Sequence, residues 1–137
     1  MEREGVFEPE TLESAREAYE SVGPAAKTAV RETATAMDFG KEEYHDRVTS
    51  DVVETARDAI FASLLVARVA TYETFDSWRD DAGVDVTVLG SSDVDRVGWH
   101  VAPFGDAAVA ATFQDEREAA VATVRRQAFG RLYRDHL

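Results

Sequence analysis

Apolar residues in the first half of the chain recur every three or four positions, which is the spacing of amphipathic helices. Leu12, Ala15, Tyr19 and Val22 form one such stripe, and the proline before it fits a first helical position. The predicted helical segments are residues 9–22, a helix opened by Pro24 and broken at Asp38-Phe39-Gly40, a short turn over Lys41–Arg47, and a long helix capped by Thr49 or Ser50.

The second half of the chain changes to strand-like patterns. Residues 84–88 alternate strictly between apolar and polar side chains, which is typical of a half-buried strand. Residues 63–71 are almost wholly apolar around Arg68, which fits a longer helix or a buried strand, and we favour a strand near 64–70. The remaining predicted segments are a helix over 72–81 capped by Thr71, strands over Arg96–Ala102 and Ala107–Phe113, and a closing helix over 115–135.

This order of elements predicts an α+β fold in a single domain of residues 1–137. A helical N-terminal half is followed by β-α-β-β-β-α, which gives a four-stranded, mostly antiparallel sheet with packed helices. Short turns at Gly90–Asp93 and Pro103–Asp106 separate the last three strands. We therefore expect these three strands to form a meander.

The charge balance is strongly acidic. The chain carries 27 acidic and 15 basic residues, for a formal net charge of −12, and nearly all of the basic residues are arginine. Such a charge opposes compaction in dilute salt but is screened at molar salt, where the Debye length is about 3 Å. We therefore expect a protein of a halophile, and we do not expect nucleic acid as a partner, because duplex binding requires many Lys and Arg contacts.

Several kinds of chemistry have no signal in the sequence. The chain has no cysteine, phosphate-binding loop, hydrolase nucleophile elbow or paired-histidine zinc motif. Glu42 and His45 lie one helical turn apart, but a single such pair among other charged residues indicates a solvated turn. No apolar run approaches the roughly 18 residues of a membrane span. We expect a cytoplasmic protein with no membrane contact, no metal and no cofactor, and we lean against an enzyme.

One face of the predicted sheet is a candidate ligand site. Alternation along residues 96–102 places Trp99 on a bulky face and His100 on the opposite face, among small residues. If the strand near 64–70 pairs here, an arginine and a threonine would join the histidine and bind a small anion. Alternatively, helices cover both faces and the histidine is a semi-buried residue with its hydrogen bonds satisfied. The candidate ligand-binding residues are His100, Arg68, Arg96 and Thr112.

The closing helix carries the only sizeable basic stretch of the chain. Its arginines are candidates for binding an anion or an acidic partner: Arg125, Arg126, Arg131 and Arg134. At about 100° per residue, an ideal helix spreads these side chains around its surface instead of gathering them into one patch. The alternative is a structural role, in which they complement the helix dipole and pair with the acidic N-terminal helices.

Three segments carry a resemblance to a known family. They are Phe113–Ala120, Arg125–Arg131 and Asp51–Ala59, and their amino-acid sequences resemble a haloarchaeal protein family of unknown function. The resemblance covers most of the chain. It implies a salt-rich setting and brings no activity, cofactor or catalytic residue.

These observations leave the biochemical function unknown and support three hypotheses. The leading one is a non-enzymatic interaction or regulatory module that forms a homodimer through the small-residue sheet face. The second is a binder of a small anion or metabolite, or an enzyme, that uses His100 with Arg68 or Arg96. The third is a nucleic-acid-associated factor that binds through the arginines of the closing helix.

Overall fold

A computed structural model describes all residues from Met1 to Leu137. Its helices are α1 (Leu12–Ser21), α2 (Gly23–Ala36), α3 (Lys41–Arg47), α4 (Ser50–Ser63), α5 (Tyr72–Ala82) and α6 (Arg117–Ala128). Its strands are β1 (Glu2–Glu4), β2 (Ala67–Thr71), β3 (Asp85–Leu89), β4 (Arg96–Ala102) and β5 (Ala107–Phe113). The mixed fold is confirmed, and so is the strand interpretation of the apolar segment that follows α4.

Threonine caps explain where three of the helices begin. The hydroxyl of Thr11 accepts the amide N–H of Ser14 at 3.0 Å, and the Ser14 hydroxyl accepts the Thr11 N–H at 3.1 Å, which is a capping box. Helix α1 therefore begins after Thr11, whereas the sequence pattern predicts a start at Pro9. The predicted caps at Thr49 and Thr71 are confirmed, since each hydroxyl accepts an amide N–H three residues later.

The sheet has five strands in the order β1-β2-β4-β5-β3, where the sequence predicted four. The missed strand is β1, whose residues Glu2, Arg3 and Glu4 are all exposed and charged. It pairs antiparallel with β2 at the sheet edge. The guanidinium of Arg117 also lies 2.9 Å from the carboxylate of Glu2 and 2.7 Å from that of Glu4. Strand β1 lacked an apolar alternation because neither of its faces is buried.

The predicted meander is wrong. Strand β4 pairs antiparallel with both β2 and β5, while β3 pairs parallel with the outer side of β5, with Asp85 opposite Ala107 and Leu89 opposite Ala111. The segment after Leu89 passes the end of β5 instead of forming a tight hairpin. Gly90 begins this segment with a φ of +96°, which a residue with a side chain rarely adopts.

Helices cover both faces of the sheet. Helix α5 lies on one face, where the rings of Phe75 and Trp78 lie 5.1 and 5.3 Å from that of Trp99. Helix α6 lies on the opposite face, where Val121 approaches Gly98. The small-residue face proposed for dimerisation is therefore buried, and Ala102 is 1% exposed. The largest hydrophobic cluster, around Phe61, joins α1 and α4 to this side of the sheet.

The closing helix is interrupted by one wide turn. Over Phe129–Tyr133 the backbone forms a π-helical turn, and the amide of Arg134 donates to the carbonyl of Phe129, five residues earlier. This turn shifts the buried stripe by one residue. Tyr133 follows Ala128 into the core at 0% exposure, where an uninterrupted α-helix would have placed Leu132.

Candidate functional site

His100 is enclosed in the core beneath the wide turn. Its side chain is 0% exposed, its Nδ1 lies 2.7 Å from the carbonyl oxygen of Val66, and its Nε2 lies 2.6 Å from the Tyr133 hydroxyl. Because a carbonyl oxygen only accepts, Nδ1 carries the proton and donates it to Val66. The Tyr133 hydroxyl then donates to Nε2. Both ring nitrogens of the histidine are satisfied by the protein itself.

The electrostatics of this pair keep both groups neutral. Burial lowers the pKa of His100 to about 4; the hydrogen bond to Val66 and the charge of Glu8 oppose this shift, while Arg68 and Arg125 add to it. Burial also raises the pKa of the Tyr133 hydroxyl, with a further contribution from Glu8. Near neutral pH the histidine is therefore an uncharged hydrogen-bonding group sealed from solvent. This arrangement ties the closing helix to the middle of the sheet.

The four residues proposed to bind a small anion do not form one cluster. In the register of the sheet, Arg68 lies opposite Trp99 and Thr112 lies opposite Val97, so both belong to the face under α5. Arg96 shares the face of His100 but lies four residues along the strand, about 13 Å away.

Each of these three side chains has its own partner or environment. The Arg68 guanidinium donates to both carboxylate oxygens of Glu8, with its Nε at 3.1 Å, and the two side chains are only 12% and 19% exposed. Thr112 donates weakly to the carbonyl of Leu89 at 3.4 Å. The guanidinium of Arg96 lies 5.8 Å from the ring centre of Phe113, and its buried Nε has no hydrogen-bond partner. The positive charge expected beside His100 is thus neutralised or directed elsewhere.

The four arginines of the closing helix do not act as one patch: one is bonded to the backbone of the fold, and three are exposed. Arg125 is half-buried, and its guanidinium donates to the carbonyl oxygens of Leu65 at 2.8 Å and Glu4 at 3.0 Å. It therefore fixes the junction of β1, α4 and β2. Arg131 is exposed and donates to Gln127 within its own helix. None of the four forms an ion pair, so the alternative of pairing with the acidic N-terminal helices is wrong.

Arg126 and Arg134 lie along a groove between α4 and the closing helix, which we call the arginine groove. An ideal α-helix would place these residues about 80° apart around its axis. The wide turn changes that angle, and both residues line the groove, which has a volume of about 560 Å³. Its complete lining is Thr55, Asp58, Ala59, Ala62, Ser63, Ala122, Arg125, Arg126, Phe129 and Arg134.

A second groove, which we call the apolar groove, lies between α2 and α4 and is closed at one end by the α2–α3 connection. Eight of its ten lining residues are hydrophobic. Met37 and Val52 at its rim are 60% and 42% exposed. The one charged side chain in its lining is Arg47, which lies 3.5 Å from Glu43 and over the ring of Phe39. The complete lining is Ala29, Val30, Thr33, Ala34, Met37, Phe39, Arg47, Val48, Val52 and Ala56.

The chain has no arrangement typical of a metal site or of a membrane-spanning helix. No group of three or more His, Asp or Glu side chains is arranged to hold a metal ion. Glu42 and His45, the pair with metal-ligand spacing, are both exposed on α3. No helix combines the length and the apolar character that a membrane crossing requires.

Sequence patterns missed the two side chains that determine the environment of His100. Tyr133 was not expected beside it, because the periodicity of an α-helix selects Leu132 for the core. A glycine inside the predicted helix, Gly130, was the one available signal of irregular geometry. Glu8 was missed because it lies in an irregular segment before α1, where no periodicity identifies its partner.

The comparisons with known proteins identify a family and no activity. The sequence model of DUF5809, described as a family of unknown function, matches residues 6–134. No curated protein and no solved structure matches the chain. The matched region contains all of the helices, both grooves and the His100–Tyr133 pair. Because it spans nearly the whole sequence, the chain belongs to the DUF5809 family of unknown function.

Proposed function

We propose that the protein is a non-enzymatic interaction module that forms a homodimer through its apolar groove. The observation that carries this proposal is the exposure of Met37 and Val52 at the rim of a groove whose lining is almost entirely hydrophobic. A contiguous apolar surface that is exposed on a monomer is typical of a protein-binding site. The sheet face that the sequence predicts as the dimer surface is not available for this contact, since helices bury it.

A second copy of the chain fits the charge of this surface. Two chains that each carry a net charge of −12 repel one another over most of their surfaces. The apolar groove has no carboxylate in its lining, and its one guanidinium is paired with Glu43. Contact between two copies at this surface therefore causes less electrostatic repulsion than contact through an acidic surface. In a two-fold symmetric dimer, both copies would bury this same surface.

A non-enzymatic role is supported by the closure of the His100 environment. A general acid or base must reach the proton that it transfers, and the ring of His100 is 0% exposed with both nitrogens occupied. We further propose that the module works in the cytoplasm of a halophile, because its acidic composition suits a salt-rich medium. A haloarchaeal origin, which the resemblance of its sequence implies, is part of this proposal.

Sedimentation equilibrium in 2 M KCl tests the homodimer. The unmodified chain is expected to have twice the mass of the 15.1 kDa monomer, and Met37→Asp or Val52→Asp is expected to give the monomer. Val6→Asp is the matched control, because Val6 is 66% exposed and lies outside the groove. A monomeric unmodified chain, or dissociation by Val6→Asp to the same extent, would refute the proposal.

A further inference from the structure

We propose that the arginine groove binds an acidic amphipathic helix supplied by a partner protein. This inference does not depend on the homodimer, because the two grooves share no lining residue. It rests on three features of the groove: two exposed arginines without acidic partners, an apolar floor between them, and the separation of the two arginines along the closing helix.

The first feature is uncompensated positive charge on an acidic protein. Arg126 and Arg134 are exposed and form no ion pair within the chain. The guanidinium of Arg134 lies 5.3 Å from the centre of the Phe129 ring, and both residues line the groove. Asp58 is the only carboxylate in the lining, and it accepts a hydrogen bond from the Tyr19 hydroxyl at 2.6 Å. The groove thus offers two arginines to a ligand that carries negative charge.

The second feature is the apolar floor. Ala59 and Ala62 of α4 face Ala122 and Phe129 of the closing helix. The hydroxyls of Thr55 and Ser63 at the margin donate to carbonyl oxygens of their own helix. Small side chains allow another helix to approach closely, and the floor offers it hydrophobic contacts. A ligand that buries this floor must itself have an apolar face.

The third feature is the separation of the two arginines along the closing helix. Arg134 lies eight positions after Arg126, which corresponds to about 12 Å along an ideal α-helix. Two carboxylates seven residues apart on a helix are about 10.5 Å apart and lie on nearly the same side. An amphipathic helix with this spacing places one carboxylate at each arginine and its apolar face on the floor.

Fluorescence anisotropy with a synthetic probe tests the proposal. The probe is a labelled amphipathic peptide helix of Leu and Ala with two glutamates seven residues apart, measured in about 0.1 M KCl, where the Debye length is about 10 Å. Saturable binding is expected. Arg126→Glu and Arg134→Glu are each expected to weaken it about tenfold, because charge reversal replaces an attraction by a repulsion. A peptide with lysine in place of glutamate is expected to bind the Arg126→Glu, Arg134→Glu double variant.

Arg131→Glu is the matched control, since it makes the same charge change on the same helix outside the groove. It is expected to change the dissociation constant of the probe by less than about twofold, because only the long-range charge of the chain is altered. Absence of saturable binding would overturn the proposal, and so would equal losses in the three single variants. Binding of single-stranded DNA or inorganic pyrophosphate that the probe peptide fails to displace would also overturn it, in favour of a nucleic-acid or small-anion site.

Discussion

The Nε2 atom of His100 lies 2.6 Å from the hydroxyl of Tyr133, inside the core and out of contact with solvent. Their hydrogen bond joins the central part of the sheet to the wide turn of the closing helix. Both groups satisfy each other at a depth where an unpaired polar group is costly. His100, which the sequence predicts as a ligand-binding residue, therefore contributes mainly to the stability of the fold.

Loss of this hydrogen bond is expected to destabilise the protein. Tyr133→Phe leaves the acceptor nitrogen of His100 without a partner and should lower the free energy of unfolding by about 1–3 kcal/mol. His100→Ala removes both hydrogen bonds and leaves a cavity, with an expected loss of about 3 kcal/mol. Urea unfolding measures both changes. His45→Ala, at an exposed histidine on α3, should stay within about 0.5 kcal/mol of the unmodified chain.

The lowered pKa of His100 predicts a dependence of stability on pH. In the unfolded chain His100 takes up a proton near pH 6.5, whereas in the folded protein it does so only near pH 4. His100 therefore contributes on the order of 3 kcal/mol to the free energy of unfolding above this interval. This contribution should be lost as the pH falls from about 6.5 to about 4. Carboxylates titrate in the same region, so the measurement compares the unmodified chain with His100→Gln. Parallel curves for the two proteins would contradict the prediction.

Arg125 is expected to act on stability and not on the probe peptide. Its guanidinium donates to the carbonyls of Leu65 and Glu4, and Lys has no planar fork with which to reach both. Arg125→Lys should therefore lower the free energy of unfolding by about 1–2 kcal/mol. Thermal unfolding measures this loss. Arg126→Lys is the matched control and should leave stability within about 0.5 kcal/mol; equal losses would show that Arg125 has no special structural role.

Gly5 is expected to tolerate no side chain. Its φ is +127°, and a Cβ atom there would lie 2.6 Å from the carbonyl oxygen of Leu65 and 2.8 Å from the Cα of Val66. Gly5→Ala should therefore cost about 2 kcal/mol or more in unfolding free energy, through strain and loss of the β1 pairing. Gly40→Ala provides the comparison, because nothing lies within 4 Å of its Cβ position. A smaller loss at Gly5 than at Gly40 would rule out this account.

Added KCl is expected to stabilise the protein. Raising its concentration from about 0.1 to 1 M shortens the Debye length from about 10 to 3 Å and screens the repulsion within an acidic chain. Unfolding midpoints should rise over this range. Glu13→Lys, Glu17→Lys and Glu20→Lys together halve the net charge at exposed positions of α1 and should flatten the rise. An equal rise in both proteins would assign the effect to a general action of salt.

Local patterns predicted most elements of the fold because each buries one side. The strand β2 and the caps at Thr49 and Thr71 followed from residues adjacent in sequence. Strand β1 has no buried side and therefore no pattern. The pairing of β3 with β5 depends on residues that lie apart in the chain, so alternation alone could not determine it.

The candidate site was harder to predict because it depends on register and on irregular geometry. Alternation correctly placed His100 opposite Trp99, but only the pairing of β2 with β4 shows that Arg68 lies on the Trp99 face. The partnership with Tyr133 and the joint position of Arg126 and Arg134 both follow from the wide turn. In a π turn the backbone hydrogen bonds join residues five apart instead of four. The pattern of apolar residues in the sequence does not predict this change.

The parallel pairing of β3 has a consequence for the order of folding. Strand β3 is synthesised before β5, its only neighbour in the sheet, and the next strand along the chain pairs elsewhere. The hairpin of β4 and β5 has local contacts and needs no other strand, so its closure entropy is small. Docking of β3 requires that β5 already be in position. We therefore expect β3 to join the sheet after the β4–β5 hairpin, with its backbone amides and carbonyls bonded to water until then.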